Sequence, residues 1–238
     1  MYYITSMVVH ALGQKRLGEL AGAIGSFDAK RDRRGRNLRD YQRDAIAEVG
    51  RFLKEGLESL RNGDTVSGAI VMPWGSGKTI VAAEIARRLG LRALMLSPTK
   101  EILRQNELEL ARWNPGISTS VYYSGEHDLS GQIIVTTYHS ALSLLKRHAL
   151  PEVDMVFYDE AHRSISELRQ KLHGVAGPIE IGLTATPAFS EDRHIWQFFE
   201  KVIYEMSFED AIKIKALAPL RAFMVETNVD VSRVTLKS

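Results

Sequence analysis

The sequence predicts an α/β fold in which a mainly parallel sheet carries helices on both faces. Five short runs are apolar at consecutive positions, which indicates strands covered on both sides. These runs occupy residues 68–72, 92–97, 132–137, 153–158 and 179–184. Helical patterns separate most of them, and neighbouring parallel strands need a crossover that is usually a helix.

The helices are predicted from apolar side chains at helical spacing. The first spans residues 40–60 and stops at Asn62-Gly63, because glycine commonly terminates a helix. Its apolar stripe consists of Tyr41, Ala45, Ile46, Val49, Phe52, Leu53 and Leu60. The stretches "TIVAAEIARRLG" and "KEILRQNELELARW" continue the alternation of strand and helix. We therefore expect the first helix to pack on the sheet.

The alternation of strands and helices predicts one domain over residues 37–215. Residues 1–36 are predicted to be an N-terminal extension with a basic linker, and residues 216–238 an exit segment. The linker contains "KRDRRGR", which has five basic residues between Lys30 and Arg36. This run fits either a contact with a phosphate backbone or a solvated linker.

The composition is that of a soluble globular protein, with 45% apolar and 25% charged residues among 238. The absence of cysteine excludes disulfides and thiolate zinc sites. The longest apolar runs fall well short of the roughly 18 residues typical of a membrane helix. The N-terminal "MYYITSMVVHAL" lacks the features of a secretory signal. A cytoplasmic protein without a membrane partner is expected, and the net charge of +2 indicates no particular partner.

The stretch "AIVMPWGSGKTIVAAEIARRLG", residues 69–90, predicts a phosphate-binding loop between a strand and a helix. Glycines permit a tight turn that points amide hydrogens at phosphate oxygens, next to the positive end of the helix dipole. The lysine then neutralises the β- and γ-phosphates of ATP, and the threonine hydroxyl ligates Mg²⁺. The predicted nucleotide-binding residues are Gly75, Ser76, Gly77, Lys78 and Thr79.

The loop departs from the general pattern at two positions. Met72 stands where that pattern has a glycine, and Trp74 is bulkier than the residue usually found there. The alternative interpretation is a flexible turn with a surface lysine. The strand before and the helix after the loop favour a nucleotide site.

The stretch "VFYDEAH" places Asp159 and Glu160 at the carboxyl end of a buried strand. Ligands of such sheets sit beyond this end of the strands. Asp159 is predicted to hold Mg²⁺, and Glu160 to orient and deprotonate the attacking water. With Lys78 they are the predicted catalytic residues. The alternative is an acidic pair that caps the following helix.

Six motifs in this order and spacing resemble the first RecA-like domain of superfamily 2 helicases, which are P-loop NTPases. They extend from Leu38 to the segment "FEKVIYEMSFEDAIKIKALAPL". The motifs are "LRDYQRDAI", "MPWGSGKT", "LSPTKEILRQ", "VTTYHSA", "DEAH" and "GLTATP". Each motif alone is modest evidence, whereas six in order are strong.

The resemblance implies roles for residues outside the loop and the acidic pair. Gln42 would read the adenine edge, whereas by composition alone it fits a solvent-facing helix position equally well. Contacts with a nucleic-acid backbone are implied for Pro98, Thr99, Lys100, Thr136 and Thr137. The threonines among them equally fit strand-end capping. Coupling of the nucleotide to the nucleic acid is implied for His162, Thr184, Ala185 and Thr186.

Within the superfamily, "LRDYQRDAI", "VTTYHSA" and "YEMSFEDAI" resemble DNA translocases related to type III restriction motors and repair helicases. RNA remodellers of the DEAD-box kind have Asp in place of His162, although RNA stays open as a partner.

The resemblance also implies a second domain, because superfamily 2 helicases bind ATP between two RecA-like domains. Only Ala188 to Ser238 follow "TATP", fewer than the roughly 100–150 residues of another domain. A second RecA-like domain is therefore expected in the parent protein, and a non-catalytic ATP-responsive nucleic-acid-binding module is the alternative function.

Overall fold

The computed structural model describes residues 14–27, 38–162, 170–186, 188–190, 193–195 and 198–219. Eight strands form the main sheet: β1 (Val66–Val71), β2 (Ala93–Ser97), β3 (Thr119–Tyr123), β4 (Glu126–His127), β5 (Ile133–Thr137), β6 (Met155–Asp159), β7 (Ile179–Thr184) and β10 (Lys201–Glu205). A separate pair consists of β8 (Ala188–Ser190) and β9 (Arg193–His194). The helices are α1 (Gln14–Gly25), α2 (Asp40–Glu55), α3 (Leu57–Asn62), α4 (Lys78–Leu89), α5 (Lys100–Trp113), α6 (Tyr138–Lys146) and α7 (Phe208–Lys213).

The main sheet has the strand order β10-β1-β7-β6-β2-β5-β3-β4. Its pairs are parallel except the antiparallel pair of β3 and β4 at one edge. All five apolar runs of the sequence are strands at the centre of this sheet. The predicted α/β fold class is confirmed.

Two apolar cores lie on opposite faces of the sheet. Alternate side chains of a strand point to opposite faces, so Met95 of β2 packs in one core and Leu94 in the other. Helices α1, α2, α4 and α5 cover the first face, and α6 covers the second. This arrangement explains why the central strands are apolar at every position.

The helix predicted over residues 40–60 is two helices with a break at Gly56. A Cβ at this position would lie 2.8 Å from Cγ1 of Val66, so the chain passes too close to β1 for any side chain. The predicted stop is confirmed, because Gly63 ends α3 in the left-handed conformation with φ of 91°. The predicted apolar stripe is buried throughout.

The helix α1 lies within residues 1–36, which the sequence analysis places in an extension. Leu20, Ile24 and Phe27 are buried in the first core. Arg16 forms a salt bridge with Asp154 at 2.9 Å. The described part of this segment is thus packed on the domain, whereas "KRDRRGR" lies outside the described residues.

The outer strands β3, β4 and β10 are absent from the strands predicted from the sequence. In β10 only Ile203 is buried, and in β3 both end residues are partly exposed. β10 and β4 end the sheet and are mostly exposed, and the end residues of β3 are partly exposed, so a continuous apolar run marks none of these strands. No helix among the described residues combines the length and apolar character needed to cross a membrane.

Candidate nucleotide-binding site

The loop between β1 and α4 is held in a shape that two glycines permit. Gly75 has φ of 76° and Gly77 has φ of 84°, both in the left-handed region that side chains disfavour. At Gly77 a Cβ would also lie 2.6 Å from Nε2 of Gln42. The Ser76 hydroxyl is buried and donates to the Pro73 carbonyl at 2.6 Å. The loop therefore curls over the start of α4, as a phosphate cradle requires.

Helix α2 fixes this loop from one side through the carbonyl of Ser76. The Gln42 carboxamide nitrogen donates to that carbonyl at 2.9 Å, and the Tyr41 hydroxyl donates to it at 3.0 Å. The Gln42 carboxamide oxygen accepts from the backbone N–H of Arg39 at 3.0 Å. Gln42 is thus a buried clamp on the loop. Its role in reading adenine stays a prediction.

The Lys78 side chain is buried at the start of α4. Its ammonium donates to the carbonyls of Met72 at 3.0 Å and Pro73 at 3.4 Å, so it lies inside the curve of the loop. Burial lowers the pKa of Lys78, and attraction to Glu160 and Asp159 opposes this shift. The site therefore holds a buried positive charge, and a bound phosphate group would neutralise it.

Met72 and Trp74, which depart from the general loop pattern, have different surroundings. Met72 is fully buried, and its backbone N–H donates to the Thr184 carbonyl at 2.9 Å, so it extends the sheet. The Trp74 side chain is 60% exposed. Neither side chain displaces the turn at Gly75 and Gly77.

Asp159 ends β6 as a buried carboxylate with two donors. The backbone N–H of Glu160 donates to one of its oxygens at 3.0 Å, and Nδ2 of Asn106 donates to the other at 2.8 Å. Burial raises the pKa of Asp159, whereas the bond from Asn106 and the charge of Lys78 lower it. A bound cation would offset the cost of keeping this carboxylate ionised in the interior.

Glu160 has φ of 49°, in the left-handed region that is unfavourable for a residue with a side chain. Its Oε2 is buried, and among the described residues it has no hydrogen-bond partner. Nδ1 of His162 lies 3.4 Å away. A strained backbone that presents an unsatisfied carboxylate oxygen fits a group that binds and activates a water molecule.

The carboxamide of Asn106 joins the two sides of the site, and the sequence analysis missed it. Its oxygen accepts from the Thr79 hydroxyl at 3.1 Å, while its nitrogen donates to Asp159. Leu103, Asn106 and Leu110 are the fully buried positions of α5. A polar residue within that apolar stripe was the available sequence signal.

The predicted coupling residues lie together at the ends of β6 and β7. Nδ1 of His162 is 3.0 Å from Oγ1 of Thr184, which is buried. The same hydroxyl donates to the Thr186 carbonyl at 2.9 Å and accepts from the Thr186 N–H at 3.1 Å. Ala185 is partly exposed between them. The network connects the acidic pair to the turn after β7.

Among the predicted nucleic-acid residues, Pro98, Thr99 and Lys100 follow β2, and Thr136 and Thr137 are the last two residues of β5. The two strands are adjacent and parallel, with Ser97 paired to Thr137. Lys100 is exposed, and Pro98 is partly exposed. Thr99 and Thr137 cap α5 and α6, where their hydroxyls accept from the backbone N–H of Ile102 and of Ser140 respectively. The capping alternative therefore describes both threonines.

The expected contact of Thr136 with nucleic acid stays a prediction, although its hydroxyl does not face solvent in this structure. Thr136 is fully buried, and its hydroxyl donates to the Tyr122 carbonyl of β3 at 2.6 Å. Consecutive residues of a strand point to opposite faces, so the two threonines of "VTTYHSA" cannot both turn toward one ligand. Thr137, the last residue of β5, lies at the carboxyl end of the strand.

The residues present fit a magnesium ion shared with phosphates. No cluster of three metal-ligating side chains occurs in the part of the chain that the structure describes. Mg²⁺ in phosphate sites is usually held by one or two protein ligands together with phosphate oxygens. Thr79 and Asp159 are both bonded to one amide, so they lie close enough for this arrangement.

A family model described as the res subunit of type III restriction enzymes matches residues 36–189. The chain belongs to this family. The match contains the loop, the acidic pair and the turn after β7. The resemblance to superfamily 2 helicases is confirmed.

Curated relatives of the chain include proteins named as a DNA translocase and as a restriction enzyme subunit. The chain is 32% identical over 161 residues to a DNA 3'-5' translocase XPB2 of Sulfurisphaera tokodaii, covering 66% of this chain and 32% of that protein. It is 27% identical over 221 residues to a subunit of the type I restriction enzyme EcoAI endonuclease of Escherichia coli, covering 84% and 25%. The chain thus spans about a quarter to a third of the length of the curated relatives it matches.

Among solved structures, the helicase domain of Hef from Pyrococcus furiosus matches with a TM-score of 0.59 at 22% identity. The match covers 78% of this chain and 41% of that one. This likeness shows the RecA-like fold that the sequence predicts.

Proposed function

We propose that this chain is the ATP-binding motor lobe of a superfamily 2 DNA helicase or translocase. With a second RecA-like domain in the same polypeptide, it couples ATP hydrolysis to movement along DNA. One observation carries the proposal. A lysine-bearing phosphate loop and an acidic pair are joined through the Asn106 carboxamide at the carboxyl ends of β1 and β6.

Each residue has a distinct role in this function. Lys78 leaves the loop carbonyls and binds the phosphates, while Thr79 and Asp159 hold Mg²⁺. The metal ion, when bound, neutralises charge on the β- and γ-phosphates. Glu160 orients the attacking water and accepts its proton at Oε2, which has no hydrogen-bond partner among the described residues. His162 and Thr184 transmit the state of this site to the turn after β7.

DNA is the proposed partner because the relative in Sulfurisphaera tokodaii is named a DNA translocase. The DEAH sequence, which has His162 where RNA remodellers of the DEAD-box kind have Asp, agrees with this assignment. Backbone contacts do not separate DNA from RNA, so both polymers belong in the test. The alternative of a non-catalytic module is less favoured, because binding alone needs no second acid with an unsatisfied oxygen.

Turnover in this proposal needs the second domain. An arginine finger accelerates phosphoryl transfer by roughly 10³–10⁵, and it is proposed to come from that domain. Arg163 follows the DEAH sequence but lies outside the described residues. We expect the isolated chain to bind nucleotide and to hydrolyse it at a near-background rate.

The test measures nucleotide binding and ATP hydrolysis with DNA and with RNA. It uses this chain and a longer polypeptide that includes a second RecA-like domain. DNA should stimulate only the longer protein, and Glu160→Gln should abolish its hydrolysis while ATP still binds. Stimulation by RNA alone would favour the RNA alternative. Vigorous DNA-stimulated hydrolysis by the isolated chain, independent of Glu160, would refute the proposal.

A further inference from the structure

Asn106 is a buried carboxamide in the middle of α5, only 3% exposed. A buried amide without partners is costly, so its partners show what the position is for. Three hydrogen bonds account for it. Its oxygen accepts from Thr79 Oγ1 at 3.1 Å, and its nitrogen donates to Asp159 Oδ2 at 2.8 Å and to Ser97 Oγ at 3.0 Å.

The charge of Asp159 decides which end of the amide faces which partner. A carboxylate only accepts hydrogen bonds, so the amide nitrogen must face Asp159. Both hydrogens of that nitrogen are then used, by Asp159 and Ser97. The amide oxygen is therefore left for the hydroxyl proton of Thr79.

The direction of the Thr79 bond matters for metal binding. A hydroxyl binds a cation through a lone pair, so its proton needs another acceptor. Asn106 Oδ1 is that acceptor, and the bond leaves the lone pairs of Thr79 free. The same amide fixes one oxygen of Asp159 and so restricts rotation of the carboxylate. Outer-shell bonds of this kind orient metal ligands and tune metal affinity.

The geometry points to Asn106 as a positioning residue for the metal-binding pair Thr79 and Asp159. It orients both ligands before the ion and the nucleotide arrive, and it does not contact either. The inference rests on the proposed function, because it concerns the affinity of the same site for Mg²⁺. Its third bond, to Ser97, lies at the end of β2 and is not required for this role.

The experiment measures ADP binding to this chain by calorimetry, over a series of Mg²⁺ concentrations and in EDTA. In the wild type, Mg²⁺ should strengthen ADP binding. Asn106→Leu has similar volume but no amide. It should raise the Mg²⁺ concentration that gives half of this gain by about 10–100-fold. ADP affinity in EDTA should be unchanged, because Lys78 and the loop are intact.

Ser97→Ala is the matched control, since it removes a bond to the same amide without touching the metal pair. Its Mg²⁺ dependence should equal that of the wild type. Thermal melting checks the fold of each variant, and Asn106→Ala replaces Asn106→Leu if the leucine does not fit.

The results separate two failures. Wild-type Mg²⁺ dependence in the Asn106 variants would overturn the positioning role alone. An equal loss of ADP affinity with Mg²⁺ and in EDTA would also overturn it, by indicating a merely structural role. If the wild type binds no nucleotide, the proposed function itself fails, and this inference fails with it.

Discussion

The nucleotide site and the predicted nucleic-acid edge lie at the same end of the sheet but are built differently. At the nucleotide site, the side chains of Lys78 and Asp159 are buried, and both are held by hydrogen bonds. At the edge after β2 and β5, the charged side chain is exposed Lys100. The hydroxyls of Thr99 and Thr137 there are engaged in helix capping.

This difference predicts how binding energy is distributed. A few desolvated charged groups contribute much per residue, so single substitutions should have large effects on nucleotide binding. Contacts to a nucleic-acid backbone are many, exposed and screened by salt, so each should contribute little. The following substitutions test this contrast in order of expected effect.

Lys78→Ala should have the largest effect. It removes the ammonium proposed to bind the phosphates. Hydrogen bonds to charged groups contribute about 1.5–3 kcal/mol, which corresponds to a loss of nucleotide affinity of roughly 10–150-fold. Calorimetric titration with ADP and Mg²⁺ measures this loss. Lys100→Ala serves as the control with an intact loop. Equal nucleotide affinities of the wild type and Lys78→Ala would show that the buried lysine does not bind the phosphates.

Asp159→Asn should stabilise the nucleotide-free protein while weakening Mg²⁺-dependent binding. Burial raises the pKa of Asp159 in the fold, and this shift already includes the attraction of Lys78. A raised carboxyl pKa contributes stability below the unfolded pKa, and that stability is lost as pH rises through the folded pKa. At neutral pH the wild type has lost it, whereas the amide is neutral throughout.

The expected gain in the free energy of unfolding is about 0.5–2 kcal/mol at neutral pH. It should shrink as pH falls through the folded pKa of Asp159 toward about 3.9, the ordinary value. Urea unfolding across this range measures the gain. Asp64→Asn is the control, because that carboxylate is exposed. A gain that is independent of pH would show that charge burial is not its cause.

The phosphate loop and the acidic pair of the nucleotide site were readily predicted from the sequence. Glycines at 75 and 77, followed by Lys78, are local requirements of one loop, and Asp159 follows from an apolar run that ends in an acid. Such patterns can be recognised in the sequence because residues that are adjacent in the chain form the loop and the strand end. The central strands were equally clear, since cover on both faces makes them apolar throughout.

What the sequence concealed depends on contacts between distant segments. Asn106 acquires its role only when α5 packs on the sheet and brings the amide to Asp159 at the end of β6, and Gly56 has no room for a side chain unless Val66 shifts. The burial of the Thr136 side chain depends on β3, whose Tyr122 carbonyl accepts its hydroxyl proton. Asn106 leaves a trace in the sequence as a polar residue in an apolar stripe, but its partners Thr79 and Asp159 lie far from it along the chain.

Lys100→Ala should weaken nucleic-acid binding only a few-fold, and equally for different sequences. A lysine at a phosphate contributes to counterion release, so the slope of log affinity against log salt should become shallower by about 1. Fluorescence anisotropy with labelled single-stranded and double-stranded DNA at several salt concentrations measures both quantities. Binding that is indifferent to salt would remove the electrostatic basis of this edge. Loss of binding when the basic residues of "KRDRRGR" are replaced by serine, with α1 left intact, would instead assign the site to that segment.

Thr136→Val should have the smallest effect on nucleic-acid binding. The valine keeps the shape of the buried side chain but removes the hydroxyl that donates to Tyr122. The Tyr122 carbonyl loses one donor, so stability should fall by about 1 kcal/mol, measured by urea unfolding. Nucleic-acid affinity should equal that of the wild type under conditions where both are folded.

Thr137→Val is the matched control, because it removes a hydroxyl one residue away, at the carboxyl end of β5, and uncaps α6. If Thr136→Val weakens binding more than Lys100→Ala, the buried hydroxyl matters to the ligand, and the division between a buried nucleotide site and an exposed edge is wrong.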